Sequence, residues 1–209
     1  MGIEKGGRFL VFEGIDGSGK STQILRTHER LIQNKQPGVA TFEPTDGPIG
    51  SLIRQMLAGK VETDQLTIAA LFAADRTDHL VNRKNGVRAM VDQGRVVLCD
   101  RYYFSSYAYH AQYMDMDWVI RANALNAQIL RPTATLFIDV DPDVCLGRIR
   151  ANRDCFDMYE KIDILKKVRE NYFLAFERLK DQEKIIIIDG NGPPDRVTQE
   201  IWKQIQPLL

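Results

Sequence analysis

The sequence has few of the features that assign a protein to a membrane, an oxidising compartment or a nucleic acid. Its three cysteines include no C-x-x-C pair, so we expect neither a disulfide framework nor a zinc site. Basic and acidic residues are equal at 28 each, so no global positive field favours nucleic-acid binding. No apolar run approaches the length of a membrane span or signal core. We therefore expect a cytoplasmic protein that binds neither membrane nor nucleic acid.

Internal repeats, low-complexity tracts and Pro/Ser-rich linkers are also missing. The 209 residues are enough to bury a sizeable core without a second domain. We therefore predict one domain over residues 1–209.

The segment 9–22 is the most informative stretch of the chain. An apolar run precedes a glycine-rich turn, and the turn matches G-x-x-x-x-G-K-[ST] from Gly14 to Ser21. Such a loop aims backbone N–H groups at a phosphate, while its lysine reaches the β- and γ-phosphates and its serine meets Mg²⁺. A glycine-rich hairpin that happens to contain lysine is the alternative. We predict that ATP contacts Gly14, Ile15, Asp16, Gly17, Ser18, Gly19, Lys20, Ser21 and Thr22.

Apolar strands and helical segments alternate along the rest of the chain. Strands are predicted near residues 9–13, 39–42, 96–99, 134–139 and 185–189. Helices are predicted over 21–33, 51–58, 64–92, from 141 to about 147, and over 159–182 and 193–208, with Asp64 as the N-cap of the third. This alternation predicts an α/β, three-layer P-loop NTPase fold, in which helices flank a five-stranded parallel sheet. Ligands bind beyond the carboxyl ends of such strands, where this chain has polar residues.

One of these strand ends, at residues 100–110, is unusually rich in aromatic and charged residues. Asp100 is placed to contact Mg²⁺ or act as a base, and Arg101 can bind an anionic group, although a strand-terminal ion pair is the alternative. The aromatic run is denser than packing requires, so we expect some of its rings to line a flat ligand: Tyr102, Tyr103, Phe104, Tyr107 and Tyr109.

Two further features have both a functional and an ordinary explanation. Phe72 and Arg76 are four residues apart, so they lie on the same face of a helix. They are either part of a binding site or an ordinary pair, in which a core ring lies beside a solvated charge. Three arginines fall within six residues: Arg148, Arg150 and Arg153. They belong either to a solvated helix face or to a mobile lid over residues 147–158. We favour the lid, because phosphoryl transfer needs cations and the phosphate loop carries none besides Lys20.

These motifs, in this order, resemble the thymidylate kinase family over essentially the whole chain. The elements are the phosphate loop, Phe42-Glu-Pro44, the segment 71–76, Asp100-Arg-Tyr102 with Ser105 and Ala108-Tyr109, and the arginine-bearing lid. The resemblance implies transfer of the ATP γ-phosphate to deoxythymidine monophosphate (dTMP), with ATP and Mg²⁺ bound and a homodimer as the assembly.

The resemblance also implies individual roles. Phe72 would stack on thymine, Arg76 would donate to the base carbonyl that cytosine lacks, and Ser106 would face the base edge. Tyr109 would crowd out a 2′-hydroxyl, Asp16 would lie near the 3′-hydroxyl, and Arg54 and Arg101 would hold the acceptor phosphate. The implied catalytic residues are Lys20, Arg101, Arg153 and Asp16. Arg148 would belong to the ATP site, and Ser21 and Asp100 would bind the metal. The acceptor site would also include Glu43, Pro44, Ser105 and His110.

The chain departs from the family pattern at three places. Phe42 replaces an arginine before Glu-Pro, His110 replaces a glutamine after Ala-Tyr, and the usual lid motif becomes Asp154-Cys-Phe-Asp157. The first two departures would favour a kinase for another nucleotide or a nucleoside. A nucleotide-dependent switch or ATPase without a second substrate is the alternative from another class.

Overall fold

The computed structural model describes residues 6–152 and 161–209. Five parallel strands form one sheet in the order β2-β3-β1-β4-β5, which confirms the predicted α/β fold. The strands are β1 Arg8–Glu13, β2 Gly38–Phe42, β3 Val96–Asp100, β4 Ala134–Asp139 and β5 Ile185–Asp189. The three central strands are almost entirely buried, as expected for near-continuous apolar runs in a parallel sheet, whereas β2 and β5 form its edges.

Helices flank the sheet. Helix α1 packs against β2, β3 and α10, and α5 packs against α9. The helices are α1 Lys20–Gln33, α2 Pro48–Leu57, α3 Gln65–Val81, α4 Val87–Asp92, α5 Tyr103–His110, α6 Met116–Ala122, α7 Ala124–Ile129, α8 Pro142–Asn152, α9 Ile162–Leu179 and α10 Pro194–Ile205. Within the described ranges, no helix has the length and apolar character that crossing a bilayer requires.

The helical region predicted over residues 64–92 is wrong as one element. It divides into α3 and α4, because the polar stretch 82–86 forms a turn that ends in Gly86. A Cβ at Gly86 would lie 2.5 Å from the backbone oxygen of Asn82, so a larger residue would clash there. The predicted N-cap is confirmed, since the Asp64 carboxylate accepts from the backbone N–H of Thr67 at 2.9 Å.

The aromatic run after β3 mostly belongs to the core. Tyr102, Tyr103, Phe104 and Tyr107 are at most 2% exposed, and their rings contact one another. Only Tyr109 of this run faces one of the two cavities described below. Of the five rings of this run, Tyr109 is therefore the one positioned to line a ligand, and that contact stays a prediction.

Candidate active site

The phosphate loop joins the buried end of β1 to the first residue of α1. Gly14 and Gly17 have φ values of 151° and 79°, which side chains rarely tolerate. The loop is also closely packed, because a Cβ at Gly17 would lie 2.5 Å from the backbone oxygen of Cys145 in α8. The loop therefore needs glycine for both its conformation and its close approach to α8.

Lys20 closes the loop on itself. Its Nζ donates to the backbone oxygens of Gly14 at 2.9 Å and Ile15 at 3.1 Å, and the residue is only 6% exposed. Burial lowers the pKa of Lys20, and nearby Arg101 acts in the same direction, whereas neighbouring carboxylates oppose the shift. The ammonium group is thus held at the loop, where a bound phosphate would provide its counter-charge.

A hydroxyl and a carboxylate meet beside the loop. Ser21 Oγ donates to Asp100 Oδ2 at 2.8 Å, while Asp100 Oδ1 is buried with no hydrogen-bond partner among the described residues. Oxygen donors of these two types suit Mg²⁺, which binds one or two protein oxygens together with substrate phosphates. The unpaired carboxylate oxygen fits the predicted magnesium site.

Arg101 lies at the centre of a cluster on the other side of the loop. It follows β3 with a left-handed φ of 69°, and its guanidinium contacts Asp16, Tyr109 Oη at 3.2 Å and Ser105 Oγ at 2.9 Å. Burial alone would raise the pKa of Asp16, but Arg101, Lys20 and Tyr109 outweigh it and lower that pKa. Asp16 is therefore an anion that orients the arginine and tyrosine side chains.

Glu13 fixes the turn that carries Arg101, a role that the sequence did not indicate. This fully buried carboxylate accepts from the backbone N–H groups of Tyr102 at 2.8 Å and Ser105 at 3.1 Å. It also accepts from Ser105 Oγ at 2.6 Å and Tyr172 Oη at 2.8 Å. Burial raises the pKa of Glu13, and these donors partly offset the shift. The last residue of β1 thereby ties the phosphate loop to the β3–α5 turn.

Two cavities meet at this cluster. The larger has a volume of about 940 Å³ and lies over the phosphate loop, with Arg148 on its wall. The smaller, of about 280 Å³, is lined by Asp16, Phe42, Pro44, Arg54, Leu57, Phe72, Arg101, Ser105, Ser106, Tyr109 and His110. Asp16, Phe42 and Arg101 line both cavities. Eight of the ten predicted acceptor-site residues therefore surround one pocket that adjoins the loop.

The other two predicted acceptor residues, Glu43 and Arg76, are not on the wall of the smaller cavity. Arg76 is 1% exposed, and its Nε donates to Glu43 Oε2 at 2.7 Å. Its Nη1 donates to Asn123 and, at 3.1 Å, to Ser106 Oγ. Arg76 thus contacts the cavity wall through Ser106, and the direct contact with a base carbonyl that the resemblance implied stays a prediction.

His110 and Phe72 form one side of the smaller cavity. Their ring centroids are 5.2 Å apart with an angle of 54° between the planes. Burial and, to a lesser degree, nearby Arg76 lower the pKa of His110 to about 3, so the imidazole is neutral at physiological pH. Phe42 is 45% exposed at the boundary with the larger cavity.

The remaining predicted cations occupy different positions. Arg54 donates to the backbone oxygens of Pro44 at 2.8 Å and Thr45 at 2.7 Å, and it lines the smaller cavity. Arg148, on α8, has its guanidinium 3.5 Å from the backbone oxygens of Gly17 and Ser18. Arg153 and the second half of the predicted lid, residues 153–158, lie outside the described residues.

A glycine loop that holds a buried lysine, next to a second pocket that shares its arginine and aspartate, is the arrangement of a P-loop phosphotransferase with two substrates. The family model for thymidylate kinase matches residues 12–201. The chain belongs to the thymidylate kinase family, and it is an ATP-dependent phosphotransferase.

Relatives match the chain over nearly its full length. A putative thymidylate kinase of Treponema pallidum (strain Nichols) is 37% identical, over 95% of this chain and 94% of its own. A probable thymidylate kinase of Methanocaldococcus jannaschii is 37% identical, over 87% and 86% respectively. The thymidylate kinase of Clostridium novyi (strain NT) is 35% identical, over 93% and 96%.

Proposed function

We propose that the protein transfers the γ-phosphoryl group of ATP to dTMP and produces dTDP. The observation that carries this proposal is the junction of the two cavities at Asp16 and Arg101. A donor phosphate on the loop and an acceptor phosphate in the smaller cavity would both be next to the same guanidinium. That arrangement suits direct transfer between two bound nucleotides.

ATP occupies the larger cavity in this proposal. The backbone N–H groups of residues 14–22 surround its phosphates, and Lys20 exchanges its backbone acceptors for phosphate oxygens. Ser21 and Asp100 hold Mg²⁺, which neutralises phosphate charge when bound. Arg148 contacts the donor phosphates from α8, and Arg153 is proposed to bring further positive charge from outside the described residues.

dTMP occupies the smaller cavity. Its phosphate lies near Arg101 and Arg54, and its base lies against Phe72 with Ser106 and His110 at its edge. Tyr109, fixed by Asp16 at 2.9 Å, leaves little room for a 2′-hydroxyl on the sugar. Catalysis then needs positioning and charge neutralisation rather than a strong base, because the acceptor phosphate is already an anionic nucleophile.

A second acceptor is worth testing because of Phe42. An exposed aromatic ring, rather than a cation, stands between the two cavities, which lowers the positive charge available to an acceptor phosphate. This feature favours a nucleoside or another nucleotide as the competing candidate.

The test is ADP formation in a coupled assay with ATP and Mg²⁺. The acceptors compared are dTMP, deoxyuridylate, deoxycytidylate (dCMP), thymidine and none. We expect the highest rate with dTMP and negligible turnover without an acceptor. An acceptor-independent rate would indicate an ATPase, and preference for thymidine or another nucleotide would reassign the smaller cavity.

We further propose a single-domain homodimer that works in the cytoplasm. Exposed apolar side chains on α3 and α7, among them Leu66 and Leu125, offer a surface that a second copy could cover. The free thiols of Cys99 and Cys145 suit a reducing compartment. Sedimentation equilibrium tests the assembly, with twice the chain mass expected.

A further inference from the structure

The buried carboxylate of Glu13 is bonded to two different parts of the molecule. Oε1 accepts from the backbone N–H groups of Tyr102 and Ser105, and Oε2 accepts from Ser105 Oγ and Tyr172 Oη. Three of these four donors belong to the turn after Arg101, and the fourth comes from helix α9. The two oxygens of a carboxylate offer about four lone-pair sites, so the acceptor capacity of Glu13 is fully used.

The Tyr172 hydroxyl is the donor that α9 contributes. Its Oη lies 2.8 Å from both Glu13 Oε2 and Ser105 Oγ. An anion is a stronger acceptor than a neutral hydroxyl, so the phenol proton is directed to Glu13. Because Glu13 and Tyr172 are both 0% exposed, bulk solvent cannot replace this donor.

The conformation of Arg101 depends on these bonds. Its φ of 69° is left-handed, which residues other than glycine adopt mainly where the surrounding structure imposes it. The backbone N–H groups of Tyr102 and Ser105, bonded to Glu13 at 2.8 and 3.1 Å, impose it here. Ser105 Oγ also accepts from Arg101 Nη1 at 2.9 Å, so the same turn orients the guanidinium that lines both cavities.

Protonation of Glu13 would disrupt this arrangement. A neutral carboxylic acid carries a proton on one oxygen, so one of the four donors would then face another donor. Burial raises the pKa of Glu13, whereas the Ser105 hydroxyl, the charge of Arg101 and the Tyr172 hydroxyl lower it. Lys20, in the phosphate loop, is a second positive charge that interacts with this carboxylate. The hydroxyls and the cations therefore favour the ionised form against the effect of burial.

We propose that Tyr172 is a positioning residue for phosphoryl transfer, whose hydroxyl keeps Glu13 ionised so that the turn 102–105 holds Arg101 between the two cavities. The inference rests on the proposed function, because it takes Arg101 to contact a substrate phosphate. It adds a residue of α9, behind the cavity walls, to the groups on which transfer depends.

Packing in the core does not account for the hydroxyl of Tyr172. The ring of this residue contacts the rings of Phe137 and Phe176, with centroids 4.8 and 5.8 Å away. The neighbouring Asn171 fixes α9 to α5 independently, because its Nδ2 donates to the backbone oxygen of Ala108 at 2.9 Å. Tyr172→Phe keeps the ring and this helix contact, so it removes the hydroxyl alone.

The first test compares Tyr172→Phe with the matched control Tyr103→Phe. Tyr103 Oη donates to the buried Glu183 at 2.7 Å, so the control also loses a bond between a phenol and a glutamate, away from the described cavity walls. Both variants should lower Tm. Loss of one hydrogen bond to a charged group predicts that Tyr172→Phe alone lowers kcat, about tenfold. Because Arg101 is expected to contact phosphate and not the base, the dTMP/dCMP ratio of kcat/KM should stay unchanged.

The pH dependence of kcat/KM separates positioning from stability. Without the phenol donor the pKa of Glu13 rises, so the carboxylate is protonated and activity is lost at a higher pH. We expect the acid limb of the profile to move up by about one pH unit in Tyr172→Phe and to stay in place in Tyr103→Phe. If both variants lower Tm and neither moves the acid limb, Tyr172 has a structural role only and the inference is wrong.

A double variant tests whether Tyr172 acts through Glu13. Glu13→Gln removes the charge that the phenol stabilises, so adding Tyr172→Phe to it should reduce kcat little further. Effects that multiply would show that the two residues act independently, and they would overturn the inference.

A measurement that does not require activity separates this inference from the proposed function. ¹³C spectra of the glutamate carboxyl groups, assigned through the backbone, follow the titration of Glu13 in the wild type and in Tyr172→Phe. We expect Glu13 to be ionised at neutral pH in the wild type and to titrate at a higher pH in the variant. A protonated Glu13 in the wild type, or equal titrations, would overturn the inference even if dTMP is the acceptor, whereas a wild type inactive with dTMP would overturn the proposed function.

Discussion

The phosphate loop and the smaller cavity recognise their ligands by different means. The loop is one continuous segment that exposes backbone N–H groups and a lysine to the larger cavity. The smaller cavity is assembled from β2, α2, α3 and α5, and the ion pair of Arg76 with Glu43 is buried behind its wall. Charge therefore acts directly on phosphate groups at the loop and at Arg101, whereas behind the wall of the smaller cavity it acts by orienting neutral groups.

This difference predicts where single substitutions act. In the loop, loss of a charge should reduce transfer for every acceptor equally. Behind the smaller cavity, loss of a charge should change the choice of acceptor and the stability of the fold. The variants below test this contrast, in order of decreasing effect.

Lys20→Ala should have the largest effect. Because Nζ is the cation held closest to the loop, its removal should lower kcat about 10²- to 10³-fold with dTMP and dCMP alike. Steady-state kinetics with both acceptors check this result, with the exposed Lys180→Ala as the matched control. A large change in the dTMP/dCMP ratio would break the proposed division of roles.

His110 should make the acceptor region sensitive to acid. Its pKa is lowered from 6.5 to about 3 by burial, so the unfolded chain takes up a proton before the folded one does. Its contribution to stability is therefore complete above pH 6.5 and is lost as the pH falls towards 3. Between about pH 6.5 and about pH 4.5 the loss is about 2 kcal/mol.

Denaturant unfolding at several pH values measures this loss. His110→Phe and His110→Gln should both show a shallower decline in the free energy of unfolding than the wild type, since neither side chain titrates. If the free energy of unfolding declined with pH at the same rate in all three proteins, His110 would be protonated in the folded state, contrary to its buried position.

Arg76→Lys should affect specificity and stability without loss of charge. A lysine cannot contact Glu43, Ser106 and Asn123 together, so we expect about 1–2 kcal/mol less stability and a dTMP/dCMP ratio about tenfold lower. Thermal unfolding and acceptor kinetics provide both values. An unchanged ratio would mean that positive charge alone, and not the guanidinium geometry, determines the choice of base.

Phe42→Arg should have the smallest effect, and it should strengthen acceptor binding rather than weaken it. An exposed cation at the junction of the cavities gains only modest electrostatic energy in solvent, so KM for dTMP should fall about two- to fivefold. Phe42→Leu, which changes size without adding charge, should leave KM nearly constant. A KM that rises in Phe42→Arg would indicate that the ring itself contacts the acceptor.

Features formed by residues that are close in the sequence could be predicted from the sequence. The loop motif, the parallel strands and the N-cap at Asp64 depend on near neighbours in the chain, and all three are present. The break after α3 was missed because the apolar pattern continues beyond a polar turn. Composition cannot distinguish a core ring from a pocket ring, so the sequence alone does not separate Tyr109 from the four buried rings of the same run.

The buried network was beyond sequence reasoning for a different reason. Glu13 is hydrogen-bonded to Tyr172, which is 159 residues away in the sequence, and Glu43 is hydrogen-bonded to His79, which is 36 residues away. Such pairs become neighbours only when strands and helices assemble, and a single sequence contains no spacing rule that joins them. In the sequence, nothing distinguishes His79 from other polar residues near the end of a helix. In the structure, its two ring nitrogens lie between Thr41 and Glu43.

The central claim is that two nucleotides bind at once and meet at Asp16 and Arg101. Isothermal titration with a dinucleoside pentaphosphate that joins adenosine to thymidine tests it most directly. We predict one ligand per chain, and we predict that either ATP or dTMP at saturating concentration weakens its binding. A ligand that competes with ATP but is indifferent to dTMP would contradict the account, because the smaller cavity would then not be the acceptor site.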